Sequence, residues 1–447
     1  MKHANKNWLP RYRGLKWVKA DLPTSARPWT EGKGQSLRQR RARHRDNCER
    51  LGKLIDQHGW RWPTRPVCFI TDIHADTDAL IDSLVASGGF RKTGPKDADF
   101  RLAKAAKKTR YIIGGDCFDK GPGNLRLLRM LRRLIKHGMN LRLLAGNHDI
   151  RVMLGMRSVG EYRTASNEHF FVRLGPKAIP LMLELREQYL DKKSLKHVPS
   201  NRRCRELLYP SAQWQKQFPL IAKDVLSKSN VDREIERLNK KMERLDHLCE
   251  LHELSMQQVY AATLQWQKLF LEPGGEFHWF FDRLHLLYRQ GSFLFIHAGL
   301  DDHVAELIHR KGFKHPNRRF RRQLKGDDLE FYYGPLANSI RTKYRAADYP
   351  LSHKGVRLAH ESGVHAIIHG HRNLYHGQRI SLRRDMINFE CDTTMDRGSR
   401  SKEGLKGAGA GVTLLRPREK VVLGISSDYK HAKVFDPSSP CTQESKQ

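Results

Sequence analysis

Residues 67–74 read Val67-Cys68-Phe69-Ile70-Thr71-Asp72-Ile73-His74: an apolar, strand-forming run that breaks into a carboxylate and an imidazole. The pattern recurs. Tyr111 to Gly115 leads into Asp116, Leu141 to Ala145 into Gly146-Asn147, Phe293 to Ile296 into His297, and Val364 to Ile368 into His369 and His371. Short apolar runs of this kind have the size and composition of buried strands. Between the first three lie amphipathic stretches: residues 78–86, and residues 124–137 with Leu127, Leu128, Leu131, Leu134 and Ile135 on one helical face. Strand, helix, strand alternation predicts an α/β fold. In open α/β sheets the carboxyl ends of strands converge on one edge, so residues far apart in sequence meet there.

The residues delivered to that edge share a chemistry. Asp72, His74, Asp116, Asn147, His297 and His371 offer carboxylate, imidazole and amide oxygen donors, the mixture that suits Mn, Fe, Zn or Ni. The absence of cysteine from the set argues against a structural thiolate zinc site. Most of the 23 histidines, His137, His278 and His376 among them, read as ordinary structural or surface residues.

Outside the repeating rhythm lie four further regions. Residues 1–65 form a basic arm with 17 Lys/Arg against 5 Asp/Glu, including Arg38, Arg40, Arg41, Arg43 and Arg45. Residues 157–290 read as a wholly helical insertion, a cap, in which Ile235, Leu238, Met242, Leu245, Leu248 and His252 repeat at three- and four-residue spacing, as in a helical hairpin or short coiled coil. This stripe reads as packing. Residues 386–391, 411–415 and 421–425 read as strands of a second sheet, and residues 429–447 as a polar tail. The repeating domain is thereby divided into halves at 66–156 and 291–428.

The net charge of +34, from 82 Lys and Arg against 48 Asp and Glu, predicts acidic substrates or partners. Seven scattered cysteines fit a reducing cytoplasm better than a secreted disulfide framework. No signal-like or membrane-length apolar run is present, and no glycine-rich nucleotide motif with a following Lys-Ser/Thr.

The strings Asp72-Ile73-His74, Gly115-Asp116-Cys117-Phe118-Asp119-Lys120-Gly121-Pro122, Gly146-Asn147-His148-Asp149, His297-Ala298-Gly299 and Gly370-His371 resemble those of the calcineurin-like metallophosphoesterases, closest to their phosphoprotein-phosphatase branch. The resemblance covers about 66–156 and 291–426. It implies a two-sheet αββα sandwich interrupted by the helical insertion, and a hydrolase with two divalent ions, manganese favoured. Asp116 would bridge the ions, Asp72 and His74 would complete one site, and Asn147, His297 and His371 the other. A hydroxide between them would attack phosphorus in line, because paired ions acidify water and stabilise both the entering and leaving oxygens. His148 would protonate the leaving oxygen, with Asp119 orienting its imidazole.

Two departures from the family pattern stand out. Lys120 replaces the usual Arg, a point charge in place of a bidentate fork, so Lys120 would share the substrate phosphate with Arg372 or Arg151. Asn373 stands where many members of the superfamily carry a further histidine ligand, and His369 reads as lying behind the ligands. The motifs leave the ester open among phosphoproteins, dinucleoside polyphosphates and sugar phosphates. A different reading takes the chain as a nucleic-acid binder, with or without phosphodiesterase activity, using Trp8, Trp17, Trp29 and the basic arm for weak polyanion binding.

Overall fold

The computed structural model describes residues 8–29, 49–191 and 193–438. Two large sheets carry the architecture. The first has eight strands in the order β1 (Ala26–Pro28), β15 (Ala432–Phe435), β14 (Val421–Ser426), β13 (Gly411–Arg416), β2 (Val67–Ile70), β5 (Arg110–Ile113), β6 (Leu141–Leu144) and β7 (Leu284–His285). The second has five, in the order β11 (Arg379–Arg383), β12 (Met386–Glu390), β10 (Ala366–His369), β9 (Phe293–Ile296) and β8 (Leu287–Gln290). A small hairpin of β3 (Phe90–Lys92) and β4 (Phe100–Leu102) stands apart.

Strands β2, β9 and β10 are buried along their whole length because both of their faces are covered. In β2, Val67 and Phe69 enter the core between the sheets, where Phe69 meets Phe295 of β9 at 5.8 Å between ring centres. Cys68 and Ile70 point the other way, into the core under the helices. In β9 likewise, Phe293 and Phe295 face inward and Leu294 and Ile296 face the helices. This two-sheet sandwich with helices outside is the expected α/β fold. Strands β2, β5 and β6 run parallel, as do β9 and β10, so each sheet sends carboxyl ends to a common edge.

The helices Thr77–Ala86 and Asn124–Lys136 fall where the amphipathic pattern put them. Asp76 caps the first by accepting from the Ala79 N–H. The second takes its cap from elsewhere: the Glu184 carboxylate, on helix Ile179–Tyr189 of the insertion, accepts from the N–H groups of Asn124 and Leu125. Gln267, on helix Met256–Phe270, donates to the Met156 and Val159 carbonyls at the far end of helix Asn147–Arg157. The insertion therefore completes backbone hydrogen bonding that the neighbouring helices leave open.

Three expectations need correction. The insertion is not wholly helical, since β7 pairs with β6 and β8 with β9. These strands are two and four residues long, too short to show a two-residue period. The apolar stripe of helix Lys228–Leu251 is packing, with Leu238 and Leu245 buried against neighbouring elements. Strands β13 and β14 belong to the first sheet, where β13 lies antiparallel to β2 with Thr413 opposite Phe69. Alternation predicts a strand but not its neighbour. The polar tail begins later than expected, because β15 forms within it, between β14 and β1. On the amino-terminal side, residues 8–29 pack onto the domain: Trp29 is buried against Phe389, and Asp82 accepts from the N–H groups of Lys19 and Ala20. The arginines at 38, 40, 41, 43 and 45 lie outside the described residues.

Candidate metal centre

The loops after the strands hold their side chains by backbone constraint. Asp72, His74, Asp116, Asp119, Lys120 and His371 all have positive φ, between 47° and 71°. Each such non-glycine residue costs roughly 1–3 kcal/mol and persists where its surroundings fix it. Asp149 supplies much of that fixing after β5: its carboxylate accepts from the N–H groups of Gly146 at 2.9 Å, Asp116 at 3.0 Å and Cys117 at 2.7 Å. Asp116 in turn accepts from the His148 N–H at 2.8 Å. Asp72 accepts from the Thr71 hydroxyl at 2.6 Å and the His371 N–H at 2.9 Å.

Asp72, His74, Asp116, Asn147, His297 and His371 come together. The imidazole Nε2 of His74 lies 3.8 Å from Asp116 Oδ2 and 4.0 Å from Asp72 Oδ1. His297 Nε2 lies 3.4 Å from Asp116 Oδ2 and 3.3 Å from Asn147 Oδ1. Two triads share Asp116: one with His74 and His148, the other with His297 and His371.

Three of these histidines turn one ring nitrogen outward to a backbone carbonyl. His74 Nδ1 meets Phe118 O at 3.1 Å, His297 Nδ1 meets Gly114 O at 2.7 Å, and His371 Nε2 meets Arg341 O at 2.9 Å. The outer nitrogen must donate. The inner nitrogens then face the buried Asp116 carboxylate, which calls for positive charge between them; at His74 Nε2 the Lys120 ammonium supplies it at 2.7 Å, and at His297 a proton or a metal cation can. The electrostatics agree. Burial works against charge on His297, yet the Asp116 and Asp72 carboxylates outweigh it and push its pKa up to about 10. Asp116 is held well below the usual carboxylate range, burial being outweighed by His297, His148 and His74. The donor set therefore fits divalent cations.

His148 stands beside this centre. Its Nδ1 lies 2.8 Å from Asp119 Oδ2, and its Nε2 points towards Asp116 Oδ2 at 3.9 Å. Burial lowers its pKa to about 4 despite Asp116 and Asp119, with Lys177 and Arg151 adding to the fall. The ring is neutral at pH 7. Asp119 is shared with Lys177, whose Nζ lies 2.9 Å away.

A pocket of about 290 Å³ opens over the centre, lined by Asn147, His148, His371, Arg151, Lys177, Arg341, Lys343, Arg345 and Asp348. Lys120 and Arg372, expected at the substrate phosphate, are not among its lining residues. The Lys120 ammonium donates to His74 Nε2 at 2.7 Å, on the ligand side. Arg372 is paired with Glu390 at 2.9 Å and stacked over Tyr344, because the buried Glu390 carboxylate requires counterions and takes Arg372 and Arg379. Five basic side chains line the pocket instead. Of these, sequence singled out Arg151 alone. Lys177 comes from the insertion, and Arg341, Lys343 and Arg345 from an irregular segment between Asn338 and His353. The Asp348 carboxylate organises that segment by accepting from the N–H groups of Lys343 at 2.8 Å and Arg345 at 3.0 Å. Proximity to Asp119 is what marks Lys177, and no local pattern announces it.

Fold and site define a metal-dependent phosphoesterase. Residues 65–224, about a third of the chain, match the family model described as calcineurin-like phosphoesterase. The matched segment contains Asp72, His74, Asp116, Asp119, Asn147 and His148; His297 and His371 lie beyond it. No match was found among curated proteins. Among solved structures, a cold-active protein tyrosine phosphatase is 14% identical with TM-score 0.41, covering 84% of this chain and 80% of that one. The enzyme of that description from a psychrophilic Shewanella species is 15% identical with TM-score 0.38, covering 83% and 80%. A Saccharomyces cerevisiae protein serine/threonine phosphatase, described as similar to human phosphatase PP5, is 12% identical with TM-score 0.32, covering 87% of each chain. At these TM-scores the likenesses decide nothing about substrate. No helix among the described residues is long and apolar enough to cross a membrane.

Proposed function

We propose that the chain hydrolyses phosphate esters with two divalent ions, held by Asp72 and His74 on one side, by Asn147, His297 and His371 on the other, and by Asp116 between. The supporting observation is the inward turn of His74, His297 and His371 onto Asp116 while their outer nitrogens donate to carbonyls. The ions would supply Lewis-acid charge and acidify a water for in-line attack, and manganese is compatible with the mixed set of three oxygen and three nitrogen donors. The chain's own residues do the rest. Asn147 and His148 open helix Asn147–Arg157 and line the pocket, so the positive end of the helix dipole favours phosphate there. His148, oriented by Asp119, would receive a proton from the attacking water and pass it to the leaving oxygen. Arg151, Lys177, Lys343 and Arg345 bind the remaining negative charge, which favours esters with a second anionic group several ångströms from the scissile phosphate.

The test is hydrolysis of an aryl phosphate with added manganese. Wild type turns over, and Asp116→Asn loses roughly 10³-fold or more in kcat together with bound manganese. Equal turnover by the two proteins, or wild-type activity indifferent to chelator, ends the proposal. The nucleic-acid reading gains no observation: Trp29, one of its three aromatic contacts, is a core residue.

A further inference from the structure

The basic side chains of the pocket are of two kinds. Lys343 and Arg345 are exposed, whereas Arg151 and Lys177 are partly buried. Arg151, on helix Asn147–Arg157, makes no ion pair among the described residues, and its Nε is buried without a hydrogen-bond partner. Two further groups lie within electrostatic reach of it. Tyr332, on helix Asp328–Tyr333, is 7% exposed, and its hydroxyl has no hydrogen-bond partner among the described residues. Its ring lies 5.5 Å from the guanidinium of Arg341, which lines the pocket, and 5.6 Å from that of Arg173. Lys241, on helix Lys228–Leu251, runs past Gly175, two residues before Lys177, and its ammonium donates to the Arg173 carbonyl.

The charges here do not balance. Arg151, Arg173, Lys177 and Lys241 share two carboxylates, Glu234 and Asp119. Glu234 takes Arg173 and the Tyr333 hydroxyl, and Asp119 takes His148 and Lys177. Arg151 and Lys241 are left without one. The excess shows in its neighbours: burial, then Arg173, Arg151 and Lys177, lower the pKa of Lys241 to about 7. At Tyr332 burial acts to raise the phenol, and Arg173 and Arg151 outweigh it. Partly buried cations without a counterion are costly, and a tyrosine hydroxyl this enclosed ordinarily finds a partner. An anion at this spot would meet both needs.

We propose that Arg151 and the Tyr332 hydroxyl, with Lys241 adding charge behind them, form a phosphate subsite that receives the second phosphate of a doubly phosphorylated substrate. The subsite rests on the phosphoesterase reading and adds to it the place where the second group is fixed. Exposed Lys343 and Arg345 draw that group in from solvent, and an arginine fork with a hydroxyl then holds it by charge-assisted hydrogen bonds. Lys177, 3.3 Å from His148 Nδ1, joins the subsite to the end of the pocket where the leaving oxygen is protonated.

The test compares kcat/KM for the bisphosphates of ethanediol, butanediol and hexanediol with that for the matching monophosphates, with manganese added. Wild type is expected to favour the bisphosphate of best-fitting length roughly tenfold or more, and Tyr332→Phe and Arg151→Gln each to lose most of that preference. The ratio is the readout because a general loss of folding or of metal lowers both rates alike. A second arm omits turnover: inorganic phosphate is titrated into the Asp116→Asn chain in chelator, and into the same chain carrying Tyr332→Phe, which is expected to bind it roughly tenfold more weakly. If wild type hydrolyses no ester, the phosphoesterase reading fails and this arm alone decides the subsite. A wild-type ratio near one, a ratio unmoved in both variants, or phosphate binding indifferent to Tyr332→Phe would overturn the proposal; phosphate binding with a wild-type ratio near one would assign the subsite to free phosphate instead.

Discussion

On the floor of the pocket, Asp72 and Asp116 follow buried strands and accept backbone N–H groups from residues that are themselves fixed, His371 and His148. On the wall, Lys177 reaches in from the insertion, and Lys343 and Arg345 from an irregular segment held by the Asp348 carboxylate and by the Tyr344 hydroxyl at Leu300. The floor has short side chains on a strained, rigid backbone. The wall has long side chains on a backbone that Asp348 shapes. Rigid placement is what metal binding and in-line attack require, whereas attraction of a charged substrate tolerates ångström-scale freedom. The floor is thus built for chemistry and the wall for selection, a division that mutation can break.

The largest effect should come from crowding the floor. A Cβ at Gly146 would sit 2.1 Å from the Asp116 N and 2.2 Å from Asp116 Oδ1. Gly146→Ala must displace Asp116, and a displacement near 1 Å costs on the order of 10²-fold in kcat. Metal content should fall with it. Full activity in this variant would mean that Asp116 is not held where the structure places it. On the wall, Lys343→Gln combined with Arg345→Gln should raise KM for a doubly phosphorylated substrate roughly tenfold, about 1.4 kcal/mol, with kcat nearly unchanged. The wild-type KM should also rise with salt. An equal fall in kcat would erase the division between floor and wall.

That division also separates what sequence discloses from what it conceals. The floor is legible because each ligand follows its own apolar run, Asp72 after Val67–Ile70 and His297 after Phe293–Ile296, so local pattern and site position coincide. The two-sheet fold is legible for the same reason. Lys177, Lys343 and Arg345 are three among 82 basic residues, and only tertiary contacts distinguish them. Arg372 is paired with Glu390 rather than lining the pocket, and sequence does not show this because Glu390 is a strand residue whose need for counterions appears only in the fold. Strand β7, two residues long, carries no period to read.

A smaller effect probes how the insertion is joined to the floor. Glu184→Ala removes the acceptor for two N–H groups at the start of helix Asn124–Lys136, which follows the loop bearing Asp119 and Lys120. Loss of a helix cap costs about 1–2 kcal/mol, read as a lower denaturation midpoint. If stability is unchanged, the insertion does not supply that cap.

The last test concerns pH, through Asp82. Burial pushes its pKa up to about 7, although its carboxylate accepts from the Lys19 and Ala20 N–H groups. The unfolded chain ionises this group near 4, so between about pH 4 and pH 7 the folded state holds the extra proton. The contribution is therefore fully present below pH 4 and is lost as pH rises through 7. Asp78, one helical turn away, is held low by Lys19, Arg397 and Arg126 against the cost of burial, and gives the opposite slope. That slope lies below about pH 4, outside the Asp82 window, and the difference between proteins isolates Asp82. Asp82→Asn keeps an acceptor and removes the titration. Its stability relative to wild type should rise steadily from pH 4 to pH 7 and then level off; a difference that stays flat across that range would show that Asp82 ionises in the folded chain as it does in the unfolded one.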